Sequence, residues 1–278
     1  MAFCVRRDCQ EVALDARPCN SDAGVDAGAT PVPYDRSDST ELLRRLGANM
    51  SDKNTLTFSR LINIAALLGL LGVLAGSLHL QFGVGEQPCP LCLVQRSAMI
   101  GLAVGPAMNL LWGMRVRHYA LSILAAVAGG AASTRQILLH IADPADPGYG
   151  PAIFGWHLYT WAFVTFLVGV VGCTILIMWN RPFEINDKGV MTNRGESPKW
   201  MPFLALWAII WVVLDLVVIA VSVVPECGLG MCPDNPPDGP SVGDFTAWLL
   251  ILGTGVLAAV IALIVDKQVR ARDLSLTQ

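Results

Sequence analysis

The residues best suited to chemistry in this sequence lie in one run, Gln87-Pro88-Cys89-Pro90-Leu91-Cys92-Leu93-Val94-Gln95-Arg96. Cys89, Cys92 and Arg96 stand at i, i+3 and i+7, so a helix beginning near Pro90 carries all three along one face. Proline suits a first helical position. A Cys92 sulfur then sits close to a helix N-terminus with a guanidinium one turn deeper, and both favour the thiolate over the thiol. The pattern predicts a reactive dithiol/disulfide with Cys92 as the better leaving group and electron donor. A second pair, Cys227 and Cys232, follows in Glu226-Cys227-Gly228-Leu229-Gly230-Met231-Cys232-Pro233.

What must position these cysteines follows from composition. The chain has 278 residues, 54% hydrophobic and 15% charged, with a mean hydropathy of +0.53. That is too apolar and too sparsely charged for an ordinary soluble domain, so an all-α polytopic membrane protein is expected. The net charge of −3 decides little, and nothing in the sequence points to nucleic acid.

Residues 1–60 are polar and rich in Ala, Asp, Gly, Ser and Pro, and read as a largely disordered cytoplasmic segment. No apolar stretch there ends in a small-residue cleavage site, which argues against a cleaved signal peptide. Met50-Ser51-Asp52-Lys53 offers an alternative start. Six apolar runs follow, at about 61–81, 91–112, 119–140, 154–179, 202–224 and 245–265, each near the roughly 20 residues needed to cross a bilayer. Gly72 and Gly76, and the run Ala128-Gly129-Gly130-Ala131-Ala132-Ser133, predict close helix approach.

Lysine and arginine fix the expected orientation. Arg44, Arg45, Lys53 and Arg60 precede the first span; Arg115 and Arg117 follow the second; Arg181, Lys188, Arg194 and Lys199 follow the fourth; Lys267, Arg270 and Arg272 follow the sixth. Loops 82–90, 141–153 and 225–244 contain none, so both termini are expected in the cytoplasm and these three loops outside. Cys89, Cys92, Cys227 and Cys232 then lie where disulfides persist, while Cys4, Cys9 and Cys19 fall in the reducing cytoplasm. Cys173, inside the fourth span, reads as a small buried hydrophobe.

An arginine within a span is costly, about 2.5 to 3.5 kcal/mol at a helix centre. One turn inside the boundary the cost is smaller, so Arg96 either snorkels or serves a ligand. At similar depth lie His79, Gln81, Arg135, Gln136, His140, Trp156, His157, Tyr159 and Trp161. The aromatics alone would form an interfacial belt; with the arginines and histidines they could line a polar pocket holding the head group of an apolar electron carrier beside Cys92. Asp215, mid-span, is expected to face the bundle interior, toward Asn109 or a water.

Cys89-Pro90-Leu91-Cys92-Leu93-Val94-Gln95-Arg96, at the outer mouth of the second span, resembles the signature of the disulfide bond formation protein B (DsbB) family. These inner-membrane enzymes pass electrons from a periplasmic thioredoxin-fold oxidase (DsbA-like) to quinone. The resemblance covers roughly 61–180 and implies a four-helix redox bundle in the bacterial inner membrane. It implies that Cys92 faces the quinone (ubiquinone or menaquinone), that Arg96 contacts its head group, and that Cys89 exchanges disulfides with a second cysteine pair. His140, at the end of the third span, falls where the family can place a histidine, and Arg135 beside it joins the candidate quinone contacts.

One departure stands out. The four-helix form carries its second cysteine pair in the second outer loop, and residues 141–153 contain no cysteine. The expected substitute is Cys227/Cys232, in the loop of an additional hairpin, 202–265; a structural clip is the other reading of that pair. The chain is therefore expected to divide into the 1–60 segment, the 61–180 bundle, a cytoplasmic loop 181–201, the hairpin, and a cytoplasmic tail 266–278. The expected activity is thiol:quinone oxidoreduction. Its rivals are an outward conduit of thiol reductant, a vitamin K epoxide reductase-like enzyme, and a soft-metal transport protein using Cys89 and Cys92 as ligands.

Overall fold

In the computed structural model of the chain, the described residues are 36–142, 153–185, 187–192, 194, 197–228 and 239–276. Cys4, Cys9, Cys19 and Cys232, and most of the second outer loop, lie outside them. The elements are helices α1 (Arg36–His79), α2 (Pro90–Trp112), α3 (Val116–Ala142), α4 (Leu158–Met178), the short α5 (Arg181–Glu184), α6 (Met201–Cys227) and α7 (Asp244–Leu276). A π-helical turn, Leu80–Val84, continues α1. Six segments are long and apolar enough to cross a membrane: Ser51–Val84, Pro90–Trp112, Val116–Ile141, Leu158–Met178, Met201–Val224 and Asp244–Arg272. The protein is an all-α, multi-pass membrane protein.

The expected spans are all present, but the first starts earlier than the apolar run suggests. Helix α1 begins at Arg36, and Leu56, Ser59 and Arg60 are buried. The cause is Arg60, whose side chain is wholly buried against Asp187 at 2.7 Å and also donates to Ser197 Oγ. A charge can be held there because its partner is buried with it. The 187–190 segment is locked beneath α2: Val190 N donates to Leu110 O at 2.8 Å, and Gly189 N to Asp187 Oδ1 at 2.9 Å. Gly113 ends α2 at φ 88°, a left-handed value that glycine tolerates, and a side chain there would collide with the Asp187 carbonyl.

Next to this ion pair, a polar network joins α1, α2 and α3. Asn63 Nδ2 donates to Tyr119 Oη at 2.8 Å, Asn109 Nδ2 donates to Asn63 Oδ1 at 3.3 Å, and Asn109 Oδ1 lies 2.9 Å from His118 Nδ1. Asn109 is thereby engaged within this network and does not meet Asp215. Asp215 is 1% exposed, and neither carboxylate oxygen has a hydrogen-bond partner among the described residues. The expected interhelical contact of Asp215 is absent there.

Helix α3 packs on α2 and α4, α6 packs on α7 and α2, and α7 packs on the π turn. Gly129 permits the expected close approach, with Phe166 of α4 and Ala98 of α2 against its Cα. Gly72 and Gly76 do not: a side chain on either would meet nothing within 4 Å, because both face a cavity.

Candidate redox site

Helix α2 starts as its sequence predicts. Cys89 is the N-cap in extended conformation, Pro90 opens the first turn, and the Cys89 sulfur accepts from Cys92 N at 3.2 Å. A serine or aspartate oxygen usually fills this capping role; here a disulfide sulfur does. Cys89 and Cys92 are disulfide-bonded, with Cα atoms 5.0 Å apart. Cys89 is 3% exposed, whereas Cys92 is half-buried and borders the cavity.

One turn below, Arg96 is 6% exposed and is bonded to Ser77 of α1 and Gln81 of the π turn. Its Nε donates to Ser77 Oγ at 2.7 Å, one terminal nitrogen donates to Ser77 O at 3.2 Å, and the other donates to Gln81 Oε1. Such anchoring is stronger than snorkelling, since the guanidinium points into protein rather than toward the bilayer surface. Arg96 also lines the cavity, so the fixed cation and the Cys92 sulfur share one wall.

From α3, Gln136 reaches under the disulfide. Its Nε2 lies 3.4 Å from Cys89 Sγ and 3.6 Å from Cys92 Sγ, and its Oε1 accepts from Gln95 Nε2 at 2.8 Å. Gln136 is 1% exposed. Both amide groups are thus oriented by each other, and the Gln136 amide donors face the sulfurs. His140, one turn on, bonds the Gln136 carbonyl through Nδ1 at 2.9 Å, and its ring lies 4.8 Å from that of Tyr159.

The cavity measures about 380 Å³. Gly72, Val73 and Gly76 of α1, Met99 of α2, and Leu158 and Ala162 of α4 give it apolar walls, and Cys92, Arg96, Gln136 and Tyr159 give it polar points. Predominantly apolar walls with a few fixed polar groups suit an apolar ligand with a polar head.

Of the residues singled out from sequence, Cys89, Cys92 and Arg96 converge. His140 supports the site through Tyr159 and Gln136 without bordering the cavity. Arg135 is exposed on another face of α3, where it lines a shallow depression with Ala131, Thr134, Leu138 and Leu139. It is not brought to Cys92. Gln136, the neighbouring residue, is, together with Ser77, Gln81 and Tyr159. Ser77 and Gln81, four positions apart across the end of α1 and the π turn, were the available signal for an Arg96 cradle.

The second cysteine pair is only partly described. Cys227 closes α6 and is disulfide-bonded; Cys232 lies outside the described residues. The far stem of their loop is fastened beside the CxxC. Gly239 N donates to Gly85 O at 2.7 Å, Val242 N donates to Phe82 O at 2.9 Å, and Ser241 Oγ donates to Gly83 O. Gly239 also packs so closely on Gln87 that any side chain at 239 would collide with it.

Residues 59–147 match the family model described as Disulfide bond formation protein DsbB. The family-model match to DsbB is confined to this segment. Cys89, Cys92, Arg96, Gln136 and His140 all fall within it, whereas Tyr159 and the α6–α7 hairpin lie beyond. The chain is 39% identical over 103 residues to disulfide bond formation protein B 1 of Pseudomonas savastanoi pv. phaseolicola, covering 35% of this chain and 59% of that protein. It is 41% identical over 86 residues to disulfide bond formation protein B of Pseudomonas syringae pv. tomato, covering 29% and 50%. A lower likeness, 26% over 185 residues, to disulfide bond formation protein B 1 of Pseudomonas fluorescens covers 63% of this chain and 96% of that protein. The chain thus spans between 50% and 59% of the first two relatives at the higher identities. No solved structure matches it.

Proposed function

We propose that this protein is an inner-membrane thiol:quinone oxidoreductase that reoxidises a periplasmic thioredoxin-fold oxidase, with the DsbB-like segment as its redox bundle and the hairpin loop as its partner-facing end. The observation that carries this reading is the shared wall of the cavity, where the disulfide sulfur of Cys92 borders an apolar space beside a buried, immobilised arginine. The distribution of Lys and Arg supports a periplasmic CxxC end and cytoplasmic termini.

The cavity fits a quinone head group: its volume is about 380 Å³, its walls are mostly apolar, and its cation is fixed. Arg96 and Gln136 would hold the head group, with Tyr159 as a further polar contact. When bound, a quinone supplies a two-electron, two-proton acceptor. The protein's own residues do the rest. A thiolate of the reduced partner attacks the Cys227 disulfide, and a thiolate released there attacks Cys89. Cys92 leaves as thiolate, stabilised by the α2 N-terminus and the nearby guanidinium. Cys89 is 3% exposed, so this exchange requires the 85–89 segment to open, and the 239–242 stem that pairs with it holds the attacking loop close by.

The test is quinone reduction by purified protein with a reduced thioredoxin-fold donor. Cys92→Ser is expected to abolish turnover, and Cys227→Ser to abolish turnover with the protein donor. A fully active Cys92→Ser protein overturns the reading; undiminished donor oxidation by Cys227→Ser leaves that disulfide as a clip.

A further inference from the structure

His79 and Asp244 meet at the edge of the Cys92 cavity, apart from the disulfide and the Arg96 cradle. His79 closes α1 and lines the cavity. Its Nε2 lies 3.3 Å from Asp244 Oδ1, at the first residue of α7, and its ring stacks on Trp248 of the same helix at 4.8 Å and 26°. The His79 side chain is 19% exposed and that of Asp244 is 76% exposed, so the pair runs from the cavity wall to the surrounding medium. Gly83 makes room for it: a side chain there would press on both His79 Nε2 and Asp244 Oδ1 at 3.2 Å. The other titratable or charged groups bordering the cavity are Glu86, Arg96, Tyr159 and, in the reduced protein, Cys92.

We infer that His79 delivers a proton to the acceptor held in the cavity, and that Asp244, supplied by the C-terminal hairpin, positions its ring and connects it to water. The inference rests on the proposed thiol:quinone activity. Forming the Cys89–Cys92 disulfide from a Cys92 thiolate and a Cys89 thiol releases two electrons and one proton. Two-electron reduction of a quinone to its hydroquinone consumes two protons. The second proton is held on the His79 imidazolium and is replaced from water past Asp244. Arg96 cannot supply it, because a guanidinium does not deprotonate in proteins. A histidine that lines the cavity, with a carboxylate 3.3 Å from one ring nitrogen, is suited to this task, since imidazole takes up and releases a proton.

The test uses the full chain in lipid nanodiscs, prereduced, with a short-chain ubiquinone analogue as probe. His79→Ala is expected to slow single-turnover reduction about 100-fold, the lower end of a general acid's contribution, and added imidazole to restore a substantial part of it. Asp244→Asn is expected to slow it about tenfold while Asp244→Glu retains most of the rate. Independently of turnover, 15N-histidine NMR of the quinone-free protein should show the His79 ring signals displaced in Asp244→Asn. Where His79→Ala does not fold, His79→Gln carries the same expectation without rescue. Wild-type rates in the His79 variants, or unchanged His79 signals in Asp244→Asn, overturn the inference alone when the wild type reduces the probe through Cys92. A wild type that does not reduce it removes the functional reading as well.

Discussion

Gln136→Leu isolates what the amide donors beneath the disulfide contribute. In the oxidised protein, Gln136 Nε2 lies 3.4 Å and 3.6 Å from two neutral sulfurs, which are weak acceptors. In the reduced protein one of those sulfurs is a thiolate, and a hydrogen bond to a charged acceptor is worth about 1.5 to 3 kcal/mol. Taking the lower figure for bonds this long, Gln136 stabilises the reduced form over the oxidised form by about 1.5 kcal/mol, or roughly 30 mV for a two-electron couple. Stabilising the reduced form raises the potential, so Gln136→Leu should lower it by about 30 mV and make the pair a weaker oxidant. The assay is equilibration of the Cys89/Cys92 pair in glutathione buffers, read by alkylation shift, in a Cys227→Ser, Cys232→Ser background. Gln95, 5% exposed, loses its acceptor in this variant; the Gln95→Leu, Gln136→Leu double variant controls for that cost. A potential unchanged within about 10 mV of the background protein, or one that rises, refutes the reasoning.

Arg96→Met should raise the apparent KM for quinone by about 10- to 100-fold, the equivalent of one charge-assisted hydrogen bond at about 1.4 kcal/mol per decade; steady-state kinetics with wild-type KM would show that the guanidinium serves α1 alone. Arg60→Met should destabilise the protein by about 3 to 5 kcal/mol, because it leaves Asp187 charged and buried, and Arg60→Met with Asp187→Leu should recover most of that in detergent melting curves. Asp215→Leu should stabilise the protein by up to about 2.5 to 3.5 kcal/mol, the insertion cost of a mid-span aspartate. A lower melting temperature for Asp215→Leu would mean that the carboxyl has a partner beyond the described residues.

The spans were legible because a membrane helix must be long and apolar, and that requirement is written in composition. The CxxC start was legible because Pro90 and the N-terminal cap are local. What was not legible depended on contacts distant in sequence. Arg60 reads as one more basic residue before a span, yet it is matched by Asp187, 127 positions away. Arg135 and Gln136 differ by one position, which on a helix of 3.6 residues per turn is a rotation of about 100°; charge drew attention to Arg135, and packing turned Gln136 inward. Gly72 and Gly76 carry the same spacing whether a helix or a cavity faces them, so the motif could not distinguish the two.

The π turn after α1 ties these features together. Leu80–Val84 adopts i→i+5 bonding and ends at Gly85, φ 91°, whose N–H returns to Leu80 O, as does that of Glu86 at 3.2 Å. A π turn widens the helix and rotates the residues that follow, and such turns recur at functional sites. Here the widening has two consequences. On one side Gln81 is held against Arg96, beside the Ser77 that completes the cradle. On the other, the carbonyls of Phe82, Gly83 and Gly85 accept bonds from Val242, Ser241 and Gly239. A regular α-helical continuation would have directed those carbonyls along the helix axis, to N–H groups of its own next turn. The π turn and the Gly85 that caps it therefore fix the cation of the cavity and provide the edge on which the additional hairpin docks. That shared turn gives the C-terminal hairpin a mechanical connection to the DsbB-like segment at the CxxC end.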